Sequence, residues 1–363
     1  MSRFAERVQR WQRRHGRHDL PWQGTRDPYR VWVAEVMLQQ TQVGTVRDYY
    51  ARFLARFPDV RALAAAAPDE VLALWSGLGY YQRARHLQRA AQVVTGELDG
   101  RFPTSAAGWQ ALPGVGRSTA AAIAAFCFGE RAAILDGNVR RVLARTHGIA
   151  GDPGTAAARE RLWSLADSLL PEAGIEAYTQ GLMDLGAEVC LPRAPRCDTC
   201  PLAMLCVAHA RGEPLAYPAR PRRARRGARA STWLWLQAGD ALWLVPRPAR
   251  GIWSGLWSLP EFDSPEALRA ALPGLPGAPR QGAAFVHVLT HLDWTLQPLY
   301  WALRGRERRG LQAELATLWP DGRWVAIEEA LALGIPAPLR RLLADAAAAP
   351  PPARRERGVR SGG

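Results

Sequence analysis

Apolar residues recur at helical spacing through the first 210 residues, and alternation of the strand kind begins only near residue 230. Phe4, Val8 and Trp11 lay an apolar stripe on a basic segment, which predicts a helix leading into Leu20-Pro21-Trp22. Asp27 and Pro28 form an N-cap and first-turn pair, and the apolar run Val31 to Leu38 behind them continues without glycine or proline to Val43. Glu35 interrupts that run and, with Gln39 and Gln42, marks a narrow polar stripe at i, i+4 and i+7. Helices are expected over 46–57, 62–66, 68–77 and 80–95, separated by Pro58, Pro68 and the Gly77-Leu78-Gly79 break. Beyond residue 230, STWLWLQ, ALWLVPR and FVHVLTHLDWTLQPLYW predict strands, while SPEALRAAL and Ala337 to Ala348 predict helices.

This pattern divides the chain into an all-α region over 1–210, a Pro/Arg-rich linker over 211–230, an α+β domain over 231–345 and a disordered Pro/Arg/Gly tail over 346–363. No apolar run is long enough to span a membrane, and the Arg-rich N-terminus has no apolar core of the secretory kind. An intracellular, reducing setting is expected, in which the five cysteines serve as metal ligands or core. The formal charge of +14 points to a polyanion, most simply nucleic acid. There is no lysine: all 47 basic residues are arginine, so no side-chain amine is available for covalent chemistry.

Three stretches carry candidate chemistry. Leu112-Pro113-Gly114-Val115-Gly116 makes a tight turn whose amides can approach a phosphate, and Arg117-Ser118-Thr119 opens a helix with its positive end toward the same side. Asp136 follows as the N-cap of a helix from Asn138 to Thr146, a position that keeps a carboxylate fixed and ionised. Cys190, Cys197, Cys200 and Cys206 have the spacing of a metal site, and their uneven intervals favour a [4Fe-4S] cluster over zinc. Cys127, in the alanine-rich helix, is read as core. Tyr80, beside Tyr81, Arg83 and Arg85, is a candidate stacking residue on a basic surface.

Together, AEVMLQQTQV, GLGYYQRAR, LPGVGRSTA, LDGNVRRVLAR and the four-cysteine loop resemble the MutY-type adenine DNA glycosylases of the helix-hairpin-helix superfamily. The later GIWSGLWSLPEF and HVLTH resemble that family's Nudix-like C-terminal domain. The resemblance implies an all-α helix-hairpin-helix glycosylase domain, with the hairpin at about 108–128 and the iron–sulfur loop at 190–206, followed by an α+β Nudix-like domain. It implies removal of adenine mispaired with 8-oxoguanine or guanine in double-stranded DNA, by a monomeric protein of the bacterial cytoplasm and nucleoid. It makes Glu35 the general acid, Asp136 the group that meets the sugar cation, and Asn138 a neighbour at the same site. It assigns Gln40 and Tyr80 as wedge residues, Leu112, Gly114, Val115, Gly116 and Ser118 to DNA contact, and Leu289-Thr290-His291 to 8-oxoguanine. Endonuclease III relatives carry lysine where this chain has Ser118, which implies a glycosylase without strand cleavage.

Other readings are a lyase of the endonuclease III kind, opposed by Ser118, and a non-catalytic DNA-binding iron–sulfur protein, which would not need Glu35 and Asp136 in these motifs. A nucleotide pyrophosphohydrolase would need the Nudix box of acidic metal ligands, and the second domain lacks it.

Overall fold

The structure is a computed structural model and describes residues 3–219 and 226–348. Its helices are α1 (Arg3–His15), α2 (Pro28–Leu38), α3 (Val43–Arg56), α4 (Val60–Ala65), α5 (Pro68–Trp75), α6 (Gln82–Gly96), α7 (Ala106–Gln110), α8 (Arg117–Phe128), α9 (Gly137–Thr146), α10 (Ala156–Ser168), α11 (Ile175–Asp184), α12 (Val207–Ala210), α13 (Pro265–Ala271), α14 (Gly305–Leu318), α15 (Ile327–Leu331) and α16 (Ala337–Ala348). Chain contacts separate two units, 1–67 with 82–223 and 68–81 with 224–363.

The first unit is helical. In α2 the residues Val31, Trp32, Val33, Ala34, Val36 and Met37 are all buried, so this helix is enclosed on nearly every side. Its start follows the sequence: Asp27 accepts a hydrogen bond from the Tyr29 amide, with proline in the first turn. Its end does not. The helix stops at Leu38, and Gln40 adopts a left-handed φ of 58°. The Arg83 guanidinium, buried rather than on a basic surface, donates to the carbonyls of Val36, Met37 and Gln39 at 2.9, 2.8 and 2.5 Å. One side chain thus satisfies the carbonyls that a further helical turn would have used.

In α8 the run Ala120 to Ala125 is buried throughout. The five alanines of this run let α2 and α11 pack closely against it. Phe4, Val8, Ile134, Val139, Leu143, Tyr178 and Leu182 complete the core under α8, α9 and α11.

The second unit is built on an eight-stranded mixed sheet among the described residues. Its strands are β1 (Gly227–Ala238), β2 (Ala241–Pro246), β3 (Trp257–Ser258), β4 (Glu261–Phe262), β5 (Arg280–Gln281), β6 (Phe285–Val288), β7 (Leu292–Leu303) and β8 (Arg323–Ala326). β1 runs parallel to β7 from Gly227 opposite Leu292 to Ala238 opposite Leu303, while β2 is antiparallel to β1 and to β8. Leu234, Leu236, Trp243, Leu299 and Trp301 bury one face against Leu268 of α13 and Leu311 and Leu315 of α14. Of the tract read as a linker, Pro214–Ala216 forms a 3-10 turn, 220–225 lie outside the described residues, and 227–230 already belong to β1. Of the stretch read as a tail, 346–348 continue α16 and 349–363 lie outside the described residues.

Within this unit the segment 68–81 packs as part of the domain. Ser76 donates to the Ile335 carbonyl at 2.8 Å and accepts from Arg340 Nε at 3.0 Å. Trp257 Nε1 reaches the Asp69 carboxylate at 3.0 Å.

Candidate active site

A cavity of about 660 Å³ opens in the first unit, within the range of about 300–1,000 Å³ usual for small-molecule sites. Glu35, Gln39, Gln40 and Gln42 reach it from α2 and the turn after it, and Ser118, Asp136 and Asn138 from α8 and the start of α9. Leu20, Trp22 and Met183 supply apolar wall. The structure therefore brings together the three residues read as catalytic. The helical stripe expected of Glu35, Gln39 and Gln42 is not one, because α2 ends before Gln39, yet all three line the same space.

Glu35 accepts no hydrogen bond among the described residues. Burial, and after it the charge of Asp136, push its carboxyl up to about 8. Asp136 caps α9, its Oδ1 accepting from the Val139 amide at 2.7 Å. The cap alone would hold the carboxyl low, as the sequence suggested. Burial outweighs the Val139 and Asn138 amides and the Arg141 and Arg140 charges, and the carboxyl lies above its ordinary range. The two acids still differ in kind: only Asp136 has donors and cations that favour its ionised form. When the pair carries one proton, that proton belongs on Glu35.

Ser118 Oγ accepts from the Leu135 amide at 3.0 Å, which joins the start of α8 to the segment before Asp136. The hairpin ahead of it has a split character. Leu112 and Val115 are buried, so their side chains serve the core and only their backbone remains for a ligand. Gly114 has φ 76°, and a Cβ there would meet the His86 side chain at 2.4 Å. Gly116, the N-cap of α8, faces open space, which leaves its backbone bare for close approach by an anion.

The four spaced cysteines line one cavity, closed by Val142 and Arg145 of α9. Arg145 donates to Cys190 Sγ at 3.3 Å and to the Leu191 and Pro192 carbonyls at 2.7 and 3.2 Å. Among the described residues no three of His, Cys, Asp or Glu converge as ligands of a single ion. Burial pushes the Cys200 thiol up to about 11, and Cys197 and Cys206 are raised for the same reason. Arg141, one turn before Arg145, donates to Asn138 Oδ1 at 2.8 Å, to the Gly186 carbonyl at 2.5 Å and to the Cys190 carbonyl at 2.7 Å. One helix thus carries the carboxylate at its start and grips the cysteine loop farther along.

In the second unit Leu289-Thr290-His291 forms the turn between β6 and β7 rather than part of a strand, closed by the Leu289 amide on the Leu292 carbonyl at 2.8 Å. The Thr290 hydroxyl lies 3.1 Å from that of Tyr80, whose backbone is left-handed with φ 49° and whose side chain is 47% exposed. Two residues read separately as DNA contacts are therefore hydrogen-bonded to one another.

The sequence matches the family model described as HhH-GPD superfamily base excision DNA repair protein over residues 33–168, and a NUDIX domain over 232–345. An adenine DNA glycosylase of Buchnera aphidicola subsp. Schizaphis graminum is 30% identical over 344 residues, covering 94% of this chain and 97% of the relative. The chain belongs to the adenine DNA glycosylase family. The human adenine DNA glycosylase is 36% identical, over 86% of this chain and 68% of the human one. A solved structure of a thermostable thymine-DNA glycosylase is 32% identical and superposes with a TM-score of 0.53, over 57% of this chain and 95% of that one.

Arg83, which the sequence places on a basic surface, Arg141, and Arg17, which pairs at 2.6 Å with the fully buried Asp184, take structural roles that are not legible in the sequence. Arg17 also lines the 660 Å³ cavity. No local signal separates these arginines from the many exposed ones. Only the caps and the hairpin around the cavity, being local, show in the sequence.

Proposed function

We propose that the protein flips adenine out of mispairs with 8-oxoguanine or guanine in double-stranded DNA and hydrolyses its N-glycosidic bond, leaving the strand intact. The observation that carries this is the pair of unlike buried carboxyl groups, Glu35 and Asp136, on one cavity of nucleotide size. Protonated Glu35 gives its proton to the ring nitrogen of the base, so that the base departs neutral with the bonding electron pair. Asp136, ionised and fixed by its cap, stabilises the oxocarbenium-like sugar by charge or by a transient bond, and water supplies the hydroxyl. Asn138, held by Arg141, orients the edge of the same cavity.

The four cysteines fit a [4Fe-4S] cluster: all are soft donors on one cavity, and Arg145 offers a charge-assisted contact to Cys190. Bound there, the cluster would hold the loop closed against α9. The hairpin backbone at Gly114 and Gly116 would position a phosphate, and Gln40 would wedge into the duplex.

The test is single-turnover base release from duplexes holding A opposite 8-oxoguanine, A opposite G, and T opposite G. Adenine release from the first two supports the reading, and release of thymine alone would replace it. The pH profile is a second check. Glu35 must hold its proton to act, so the rate is expected to fall as pH rises through about 8, and Glu35→Gln should lack that limb. On the acid side the rate should fall as Asp136 takes up a proton.

Ser118 and the absence of lysine predict that borohydride traps no enzyme–DNA adduct beyond a trace from the N-terminal amine, whereas Ser118→Lys should yield one. An efficient wild-type adduct would contradict the monofunctional assignment.

We assign Leu289, Thr290 and His291 to reading 8-oxoguanine, with the Thr290 hydroxyl as the polar contact. Thr290→Ala should weaken the 8-oxoguanine duplex by roughly 5- to 10-fold, the worth of one hydrogen bond, and the guanine duplex less. Equal losses on both would remove the residue from recognition.

A further inference from the structure

Glu35 faces two spaces. A second cavity of about 450 Å³ shares Trp22, Glu35 and Gln180 with the first as lining residues, and neither Asp136, Asn138 nor Ser118 lines it. Its inner wall combines the flat or branched apolar groups of Trp22, Phe126 and Val31 with the side-chain amides of Gln23 and Gln180. Such a lining suits an uncharged heteroaromatic ring, which needs apolar faces and a few hydrogen-bond partners at its edge. At the outer rim Arg26 donates to Glu176 at 2.9 Å, and these side chains are 74% and 40% exposed.

We propose that this rear chamber is the route by which the excised base leaves while the DNA product still covers the front cavity. The proposal rests on the adenine-excision reading above. Hydrolysis breaks the N-glycosidic bond, sends the electron pair and the Glu35 proton to the base, and places the water hydroxyl on the sugar. The water's remaining proton returns to the carboxylate. The freed base is then neutral, beside Glu35, with abasic DNA in front of it and the rear chamber behind. Arg26 and Glu176 lie on the exposed part of this wall, and an exposed ion pair of this kind yields easily to a departing molecule. Thr25 and Ala177 line the passage without belonging to the catalytic or DNA-contact groups.

The experiment narrows the passage by Thr25→Trp and, independently, by Ala177→Phe in the full-length protein. Labelled adenine opposite guanine is excised from a duplex in single turnover, and the enzyme–DNA complex is separated on a rapid spin column. Bond cleavage and base retention are read apart. In wild type, labelled base is expected to be lost while abasic DNA stays bound. In both variants cleavage should remain within ~3-fold, with base leaving the complex at least ~10-fold more slowly, as when product release separates from chemistry. Base loss at the wild-type rate from both variants would overturn the proposal. So would variants that keep their Tm but lose cleavage, because the chamber would then hold the bound base before the chemistry. Wild type that cleaves no adenine would instead sink the excision reading itself, and the exit route with it.

Discussion

Glu35→Gln is expected to slow single-turnover adenine release by roughly 10²–10⁴-fold, the usual worth of a general acid. The amide fits the same space, but it cannot deliver a proton to the leaving base. The same substitution should raise Tm at neutral pH. The folded-state carboxyl lies near 8, above its ordinary 4.5. The native state therefore holds a proton that the unfolded chain releases, and stability is lost as pH rises from about 4.5 toward 8. Glutamine titrates nowhere in that window, so the gain in Tm should be larger at pH 8 than at pH 5. A slow but more stable variant would mark Glu35 as a group kept for chemistry at a cost in stability. A wild-type rate in Glu35→Gln would remove the acid from the mechanism.

Asp136→Asn separates two duties of one side chain. Asparagine caps a helix about as well as aspartate, so the bond to the Val139 amide survives and Tm should not fall. What is lost is the negative charge at the cavity. Removing one preorganised electrostatic group costs about 10²–10³-fold in comparable enzymes, and adenine release should fall by at least that much. Binding of the intact duplex should change little. A loss of Tm in step with activity would mean that Asp136 serves only as a cap.

The parts of the site that were legible in the sequence are those whose causes are local. The Asp27-Pro28 start of α2, the Gly114-Val115-Gly116 hairpin and the Asp136 cap each need only a few neighbouring residues, and each forms as expected. The end of α2 was hidden because its cap is the guanidinium of Arg83, which arrives from α6. Helix α14 was hidden for another reason. Its N-cap is Arg304, outside the usual capping residues, and only Leu311 and Leu315 are buried along it. Glu307 takes the Arg304 amide at 2.6 Å, so half of a capping box stands without its usual first letter. The raised position of Asp136 was illegible too, since a cap is written in the sequence while burial is set by the whole fold.

The segment 68–81 has a consequence for dissection by truncation. The polypeptide passes between the two units at 67/68, 81/82 and 223/224, so a cut in the linker severs one of three covalent crossings. Ser76 would lose both the Ile335 carbonyl and Arg340, Asp69 would lose Trp257, and Leu72, which packs on Gly334, would be stripped of cover. The N-terminal half released by such a cut would carry α5 with the apolar face of Val71, Leu72 and Trp75, buried in the whole chain, deprived of part of its cover. Its behaviour would report that injury as much as the absence of the second domain.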